Sequence, residues 1–177
     1  GVVGAALDDD GCWCSIIADG YHVHPAVLRL ALRAKRPDRF FLVTDAMPSV
    51  GTDLESFNVL GKRITVRDRY CMDEEGRLAG SNMDMATAVR NTIDLLRVEV
   101  AQAVRMASLN PARFLEVEPS HGRIFCGGKA NLIVAGANLD IFETWLAGER
   151  HSCRVATPLL MQTATLHPTR SQDECQD

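Results

Sequence analysis

Two short apolar runs along the chain each stop at ionisable side chains. Residues 14–18, apolar except for Ser15, lead into Asp19-Gly20-Tyr21-His22-Val23; Phe40-Phe41-Leu42-Val43-Thr44 leads into Asp45-Ala46-Met47-Pro48. Near-continuous apolar runs of this length fit strands buried on both faces of a parallel sheet. Between them the spacing becomes helical over residues 25–35, where Leu28, Ala31 and Leu32 share a face. Pro25 sits where a first helical turn tolerates a missing N–H, and Pro37-Asp38 closes the segment. Strand, helix and strand in this order form a βαβ unit. Ionisable residues at the ends of both strands suit a parallel β/α barrel, whose chemistry sits at the carboxyl ends of its strands.

The rest of the chain divides into three parts. Residues 47–80 alternate, as in Arg63-Ile64-Thr65-Val66, and are punctuated by Gly51, Gly61 and Gly76. This predicts an inserted β-hairpin turning at Asp73-Glu74-Glu75-Gly76. Ser81 with Asp84 reads as a capping box opening a helix over residues 82–97, whose apolar face is Met83, Ala86, Val89, Ile93 and Leu96. A second helix follows through Val100, Val104 and Ala107, and Asn110-Pro111 breaks it and caps a short third helix ending near Leu115. From Gly122 onward, Gly127-Gly128, Asn131-Leu132-Ile133-Val134 and residues 141–147 read as strands of a small β-domain. Residues 151–177 form a polar tail without periodicity.

Composition narrows the class. The 177 residues are 46% hydrophobic, enough for a core, yet a closed (β/α)8 barrel needs roughly 250 residues, so this chain is too short to close one alone. A net charge of −4 with both signs interspersed gives no broad basic field for nucleic acid, although local cations could hold one phosphate. No apolar run approaches the roughly 20 residues of a membrane span, and Gly1-Val2-Val3-Gly4 lacks the basic start of a signal peptide. A cytoplasmic protein with no membrane partner is expected. The six cysteines, at positions 12, 14, 71, 126, 153 and 175, are scattered and read as reduced packing residues; Cys12-x-Cys14 has no second pair to complete a metal site.

Residue types and position mark candidates for chemistry. Asp45 ends a buried strand, where a charge is costly unless donors or a metal face it. It could equally serve only to cap the turn before Pro48. His22 ends the preceding strand and should come near Asp45, although an isolated histidine is more often structural. Asp19 is placed to orient this loop or a neighbouring donor, and His24 to start the following helix. Leu78-Ala79-Gly80-Ser81 leads toward a helix N-terminus, where free N–H groups favour polar or anionic ligands, though a loop and cap explain it as well. His121, His151 and His167 fall in turn-like or tail sequence and are expected to face solvent; Met83 and Met85 are core and rim.

The runs Asp19-Gly20-Tyr21-His22-Val23, Thr44-Asp45-Ala46 and Leu78-Ala79-Gly80-Ser81 resemble the last two barrel strands and following segment of N-acetylglucosamine-6-phosphate deacetylases, members of the metal-dependent amidohydrolase superfamily. The likeness extends to about Arg150 and covers only the carboxyl-terminal half of that family's fold. It implies an α/β fold class: residues 1–118 as the carboxyl-terminal part of a (β/α)8 TIM-type barrel, 119–150 as strands of a small β-sandwich, and 151–177 as a tail. It implies Asp45 as the catalytic carboxylate, taking a proton from a metal-bound water and passing it to the glucosamine nitrogen. It implies substrate contacts from His22, Leu78, Ala79 and Gly80, with Met47-Pro48 shaping the pocket wall. The partner would be an amino-sugar phosphate, and the full-length family member a homodimer. A divalent cofactor such as Zn2+ would take its ligands from upstream polypeptide, with none in this chain, which would be inactive by itself. Glu116 stands where the family commonly has glycine. Alternatives are another amidohydrolase, dihydroorotase-like or deaminating, or a non-catalytic fragment; the Asp-Gly-x-His-Val run argues against the first.

Overall fold

The computed structural model describes residues 1–152. The elements run α1 (Val2–Asp8), β1 (Cys14–Ile16), α2 (Pro25–Ala34), a 3-10 turn (Pro37–Arg39), β2 (Phe40–Leu42), β3 (Ser56–Val59), β4 (Lys62–Arg67), β5 (Tyr70–Asp73), β6 (Leu78–Ser81), α3 (Met85–Leu96), α4 (Val100–Ala107), α5 (Leu109–Phe114), β7 (Leu132–Ala135), β8 (Ile141–Leu146) and β9 (Glu149–Ser152). The predicted βαβ unit is present: β1 and β2 pair in parallel, Cys14 opposite Phe40 and Ile16 opposite Leu42, and the Val43 N–H extends the ladder to the Ile16 carbonyl at 3.0 Å. No complete barrel forms among the described residues.

The core lies on one side of this two-stranded sheet. Ile16, Phe40 and Leu42 pack with Leu28 of α2, Ala88, Val89 and Leu96 of α3, and Ala103 and Met106 of α4. Full burial on both faces, expected from the apolar runs, does not hold: Ser15 is exposed and Phe41 half-buried, its ring stacked on Phe114 of α5 at 4.8 Å and beside Trp13 at 6.4 Å, so an aromatic cluster gives that face partial cover. Two buried amides pin helices to the strands. The Asn91 side chain donates to the Ala18 carbonyl at 2.7 Å, and that of Asn110 to the Phe40 and Pro37 carbonyls at 2.7 and 3.2 Å. Asn110 therefore does not cap the third helix as the Asn-Pro step suggested; it satisfies carbonyls at the entry to β2.

Helix starts follow local chemistry. The His24 ring accepts from the Ala26 N–H at 3.2 Å and Pro25 follows it, as expected. Asp84, not Ser81, caps α3, accepting from the Thr87 N–H at 2.7 Å; Ser81 belongs to β6, so the expected capping box is absent. The inserted segment is a four-stranded antiparallel sheet, β3-β4-β5-β6, larger than the single hairpin predicted. Asp73 forms its last turn with Arg77. The Arg77 N–H at 2.8 Å, more than its guanidinium, holds the Asp73 carboxyl below the usual carboxylate range. That contribution is present above the ordinary carboxylate pKa and is lost as pH falls through the lowered value.

In the small β-domain β7, β8 and β9 form one antiparallel sheet. Gly127-Gly128 lies in a turn rather than a strand, and β9 carries the sheet to Ser152, two residues beyond the expected end of the β-domain at residue 150. A second sandwich layer is absent among the described residues. His121 is half-buried with Nδ1 2.8 Å from the Ser120 hydroxyl, so it does not simply face water; His151 is exposed, and His167 lies outside the described residues. Cys12, Cys14, Cys71 and Cys126 are free thiols, whereas Cys153 and Cys175 lie outside the described residues. No helix among the described residues is long and apolar enough to cross a membrane.

Glu116 follows α5 in the left-handed region, φ 59°, while its N–H bonds the Arg113 carbonyl and the Val117 N–H that of Ala112. This is the Schellman arrangement at a position that favours glycine. Glu116→Gly should raise stability by about 0.5–1 kcal/mol, read as a higher denaturant midpoint at unchanged slope. Because β1 and β2 each leave an edge unpaired among the described residues, the isolated chain should self-associate with concentration. Sedimentation velocity checks this, and a single monomeric species up to high concentration would contradict it.

Candidate active site

Each parallel strand delivers a polar segment at its carboxyl end. After β1 the chain turns through Asp19, which is 2% exposed. Burying a carboxylate is tolerable only with donors around it, and three are present. The Asp19 Oδ1 accepts from the Tyr21 and His22 N–H groups at 2.9 and 3.0 Å, and Oδ2 lies 2.6 Å from the His22 Nδ1. Gly20, φ 82°, allows the chain to reverse within this loop. The loop is also held from outside: the Tyr21 ring packs on Tyr70 of β5 with centroids 4.2 Å apart.

After β2 the chain breaks direction at Asp45, which has φ 51°, a left-handed conformation that aspartate tolerates better than most residues. Its side chain is 53% exposed, with Oδ2 3.2 Å from the His22 Nε2. One imidazole thus bridges two carboxylates, buried Asp19 on one nitrogen and open Asp45 on the other. Such a pair can hold a proton and release it to a solute at the open carboxylate.

The inserted sheet is fastened to this break in the chain. The Ser81 N–H donates to the Asp45 carbonyl at 2.8 Å, the Met47 N–H to the Ser81 carbonyl at 2.9 Å, and the Ser81 hydroxyl to the Thr44 carbonyl at 2.6 Å. Gly80, φ 153°, lies so close that a Cβ would stand 2.7 Å from the Met47 Cγ and 3.0 Å from the Asp45 carbonyl oxygen. Of the residues singled out in the sequence, Asp19, His22 and Asp45 meet through side chains, and Gly80 meets Asp45 through backbone. Leu78 and Ala79 share β6 with Gly80, Leu78 exposed and Ala79 half-buried. They do not open a helix: Asn82 and Met83 intervene, and Asp84 occupies a free N–H of α3. Ser81, Tyr70 and Asn91 were missed as supports of the site. The Ser81 signal, a small hydroxyl after glycine at a strand end, is also that of a helix cap.

A cavity of about 510 Å³, lined by Arg36, Arg105, Asn110 and Arg113 among others, lies where β2 begins, at the opposite end of the strand from Asp45. Among the described residues no group of three or more His, Cys, Asp or Glu is arranged to hold a metal ion. Asp19 and His22 are engaged with each other, and Asp45, 3.2 Å from the same ring, is the one solvent-open carboxylate of this group. These residues alone do not fit a divalent-metal centre.

Parallel strands delivering ionisable groups at their carboxyl ends agree with what comparison finds. Residues 6–159 match the model of the Amidohydrolase family, and the chain belongs to that family. Within it the chain is similar to amino-sugar-phosphate deacetylases. It is 36% identical over 149 residues to an Escherichia coli K12 protein named putative N-acetylgalactosamine-6-phosphate deacetylase, covering 84% of this chain and 89% of that one. It is 38% identical to the N-acetylgalactosamine-6-phosphate deacetylase of Shewanella sp. strain ANA-3, covering 84% of this chain but 38% of that one. The solved N-acetylglucosamine-6-phosphate deacetylase of Pasteurella multocida superposes with a TM-score of 0.83 at 35% identity, over 86% of this chain and 40% of that one. An aspartate-to-alanine variant of the Mycobacterium smegmatis enzyme, in complex with N-acetyl-D-glucosamine-6-phosphate, does so at 0.76 and 28%, over 82% and 39%. The chain therefore spans about two-fifths of most of these relatives and most of the E. coli K12 protein.

Gly80→Ala should displace the Asp45 backbone and destabilise the chain by about 1–3 kcal/mol, measured by chemical denaturation. An unchanged midpoint would mean that the contact between β6 and the Asp45 turn yields easily.

Proposed function

We propose that the chain carries the proton-transfer part of an N-acetylhexosamine-6-phosphate deacetylase, which hydrolyses the acetamide of N-acetylglucosamine 6-phosphate to acetate and glucosamine 6-phosphate. The observation that carries this reading is the 3.2 Å approach of the His22 Nε2 to the Asp45 Oδ2, at the carboxyl ends of adjacent parallel strands. The deacetylase relatives named above support the substrate class.

In this mechanism Asp45 takes a proton from the water that attacks the acetyl carbonyl. As the carbon–nitrogen bond breaks, Asp45 returns that proton to the amino-sugar nitrogen, and acetate leaves. His22 contacts the sugar and stays within reach of Asp45 throughout. Leu78, Ala79 and Gly80 line the substrate on the side of the inserted sheet. A divalent ion such as Zn2+ belongs to this reading with ligands other than the residues described, as do a homodimeric assembly and a cytoplasmic setting. The 4-epimer, N-acetylgalactosamine 6-phosphate, is a second substrate reading. Identities of 36–38% to relatives named for the galactosamine compound exceed the 33% and 34% to the Haemophilus influenzae and Vibrio furnissii relatives named for the glucosamine compound.

Acetate release from both epimers, by the chain alone and by its fusion to the amino-terminal part of the P. multocida enzyme, tests the assignment. The fusion should turn over at least one epimer. Asp45→Asn in that fusion should lower kcat by about 10²–10⁴-fold with little change in substrate binding. Near-normal turnover of the variant would remove Asp45 from the chemistry, and a folded fusion that hydrolyses neither epimer would reject the deacetylase reading.

A further inference from the structure

We infer that Asp19 is a positioning residue that fixes the hydrogen-bonding roles of both His22 nitrogens, so that Nε2 meets Asp45 with one proton shared between them. This rests on the deacetylase reading only for its kinetic consequence.

An ionised carboxylate can only accept, and the Asp19 Oδ2 is 2.6 Å from Nδ1, so Nδ1 must be the protonated nitrogen of a neutral ring. The Asp19 Oδ1 is meanwhile held by the Tyr21 and His22 N–H groups, which prevents the carboxylate from rotating away. Burial of Asp19 removes competing water. With Nδ1 committed, Nε2 carries either a lone pair or, in the imidazolium, a proton. The 3.2 Å contact with the Asp45 Oδ2 is attractive only when one proton lies between the two atoms. Imidazolium with carboxylate satisfies this, and so does imidazole with carboxylic acid. When Asp45 gains the water proton, Nε2 is therefore already oriented to accept a hydrogen bond from it. That holds the protonated carboxyl in place until the nitrogen leaving group takes the proton. No proton is lost to Asp19, which remains an acceptor throughout.

An asparagine at position 19 would reverse this arrangement without removing the turn. Its Oδ1 can still accept the Tyr21 and His22 N–H groups, but its amide N–H2 would then face Nδ1 and require that nitrogen to be an acceptor. The neutral ring would have to carry its proton on Nε2. An analogous aspartate-to-asparagine change beside a catalytic histidine, the serine-protease triad case, costs about 10⁴ in kcat through the wrong tautomer.

The direct test is 15N NMR of the histidine-labelled chain, with the His22 signals assigned by their loss in His22→Gln. Wild type should show a protonated Nδ1, and Asp19→Asn should move the proton of the neutral ring to Nε2, while the far-UV spectrum stays that of wild type. In the fusion with the P. multocida segment, Asp19→Asn should lower kcat by about 10²-fold or more, with KM changed far less. A bare Nδ1 in the neutral wild-type ring would overturn the inference whether or not the variant folds. So would an Asp19→Asn variant that keeps Nδ1 protonated, or one with wild-type kcat in an active fusion. An inactive wild-type fusion would count against the deacetylase reading alone, since the tautomer is read without turnover.

Discussion

Parallel pairing of β1 with β2 is the constraint on which the site depends. With Ile16 opposite Leu42, the residues following both strands emerge at one end of the sheet, and a separation of 23 positions in sequence becomes 3.2 Å between His22 and Asp45. The pairing is short, and one face has only the partial cover of Trp13 and Phe114 over Phe41. It is held by what lies on the other face: Phe40, Leu42 and Ile16 against α2, α3 and α4, with the Asn91 and Asn110 amides closing carbonyls at the two ends of the unit. A fault in that packing would move the two strand ends relative to each other, and the imidazole bridge tolerates only a few tenths of an ångström.

Once the strand ends coincide, opposite treatments of two carboxylates give the site its character. Asp19 is buried and saturated by donors, so it can act only through the ring it holds. Asp45 is open, and its strained turn is kept in place by backbone bonds to Ser81 rather than by its own side chain. The side chain is thus free to act on a solute while its main chain stays fixed. The inserted sheet contributes twice, through Gly80 and Ser81 beneath Asp45 and through Tyr70 against Tyr21, so both halves of the bridge are supported from one added element.

The elements nearest the chemistry were the most legible in the sequence. Apolar runs ending in Asp19-Gly20-Tyr21-His22 and Thr44-Asp45 mark strands and their ionisable ends, and Pro25 after His24 marks a helix start that appears as expected. Errors fell where a residue had two local uses. Ser81 and Asp84 both suit a helix cap, and only the pairing of β6 with β5, together with the Ala46–Ser81 bridge, makes Ser81 part of a strand. Asn110 before Pro111 suits a cap too, but two unsatisfied carbonyls near the start of β2 claimed its amide. The inserted sheet exceeds the predicted hairpin because three of its four strands span only four residues, too few for alternation to mark each one.

By itself the sequence determined which ionisable side chains follow the two strands, which segments are strands and helices around them, and that they form a βαβ unit. Those properties follow from local periodicity, turn chemistry and residue type, which act over a few neighbouring positions. Tertiary structure alone decided that Asp19 engages Nδ1 while Asp45 meets Nε2, that Gly80 leaves no room for a side chain beside the Asp45 carbonyl, and that Phe41 on the far sheet face packs on Trp13 and Phe114. Each of these depends on contacts between segments distant in the chain, and the spacing of residues along a strand or helix carries no information about which nitrogen of a ring a remote carboxylate will reach.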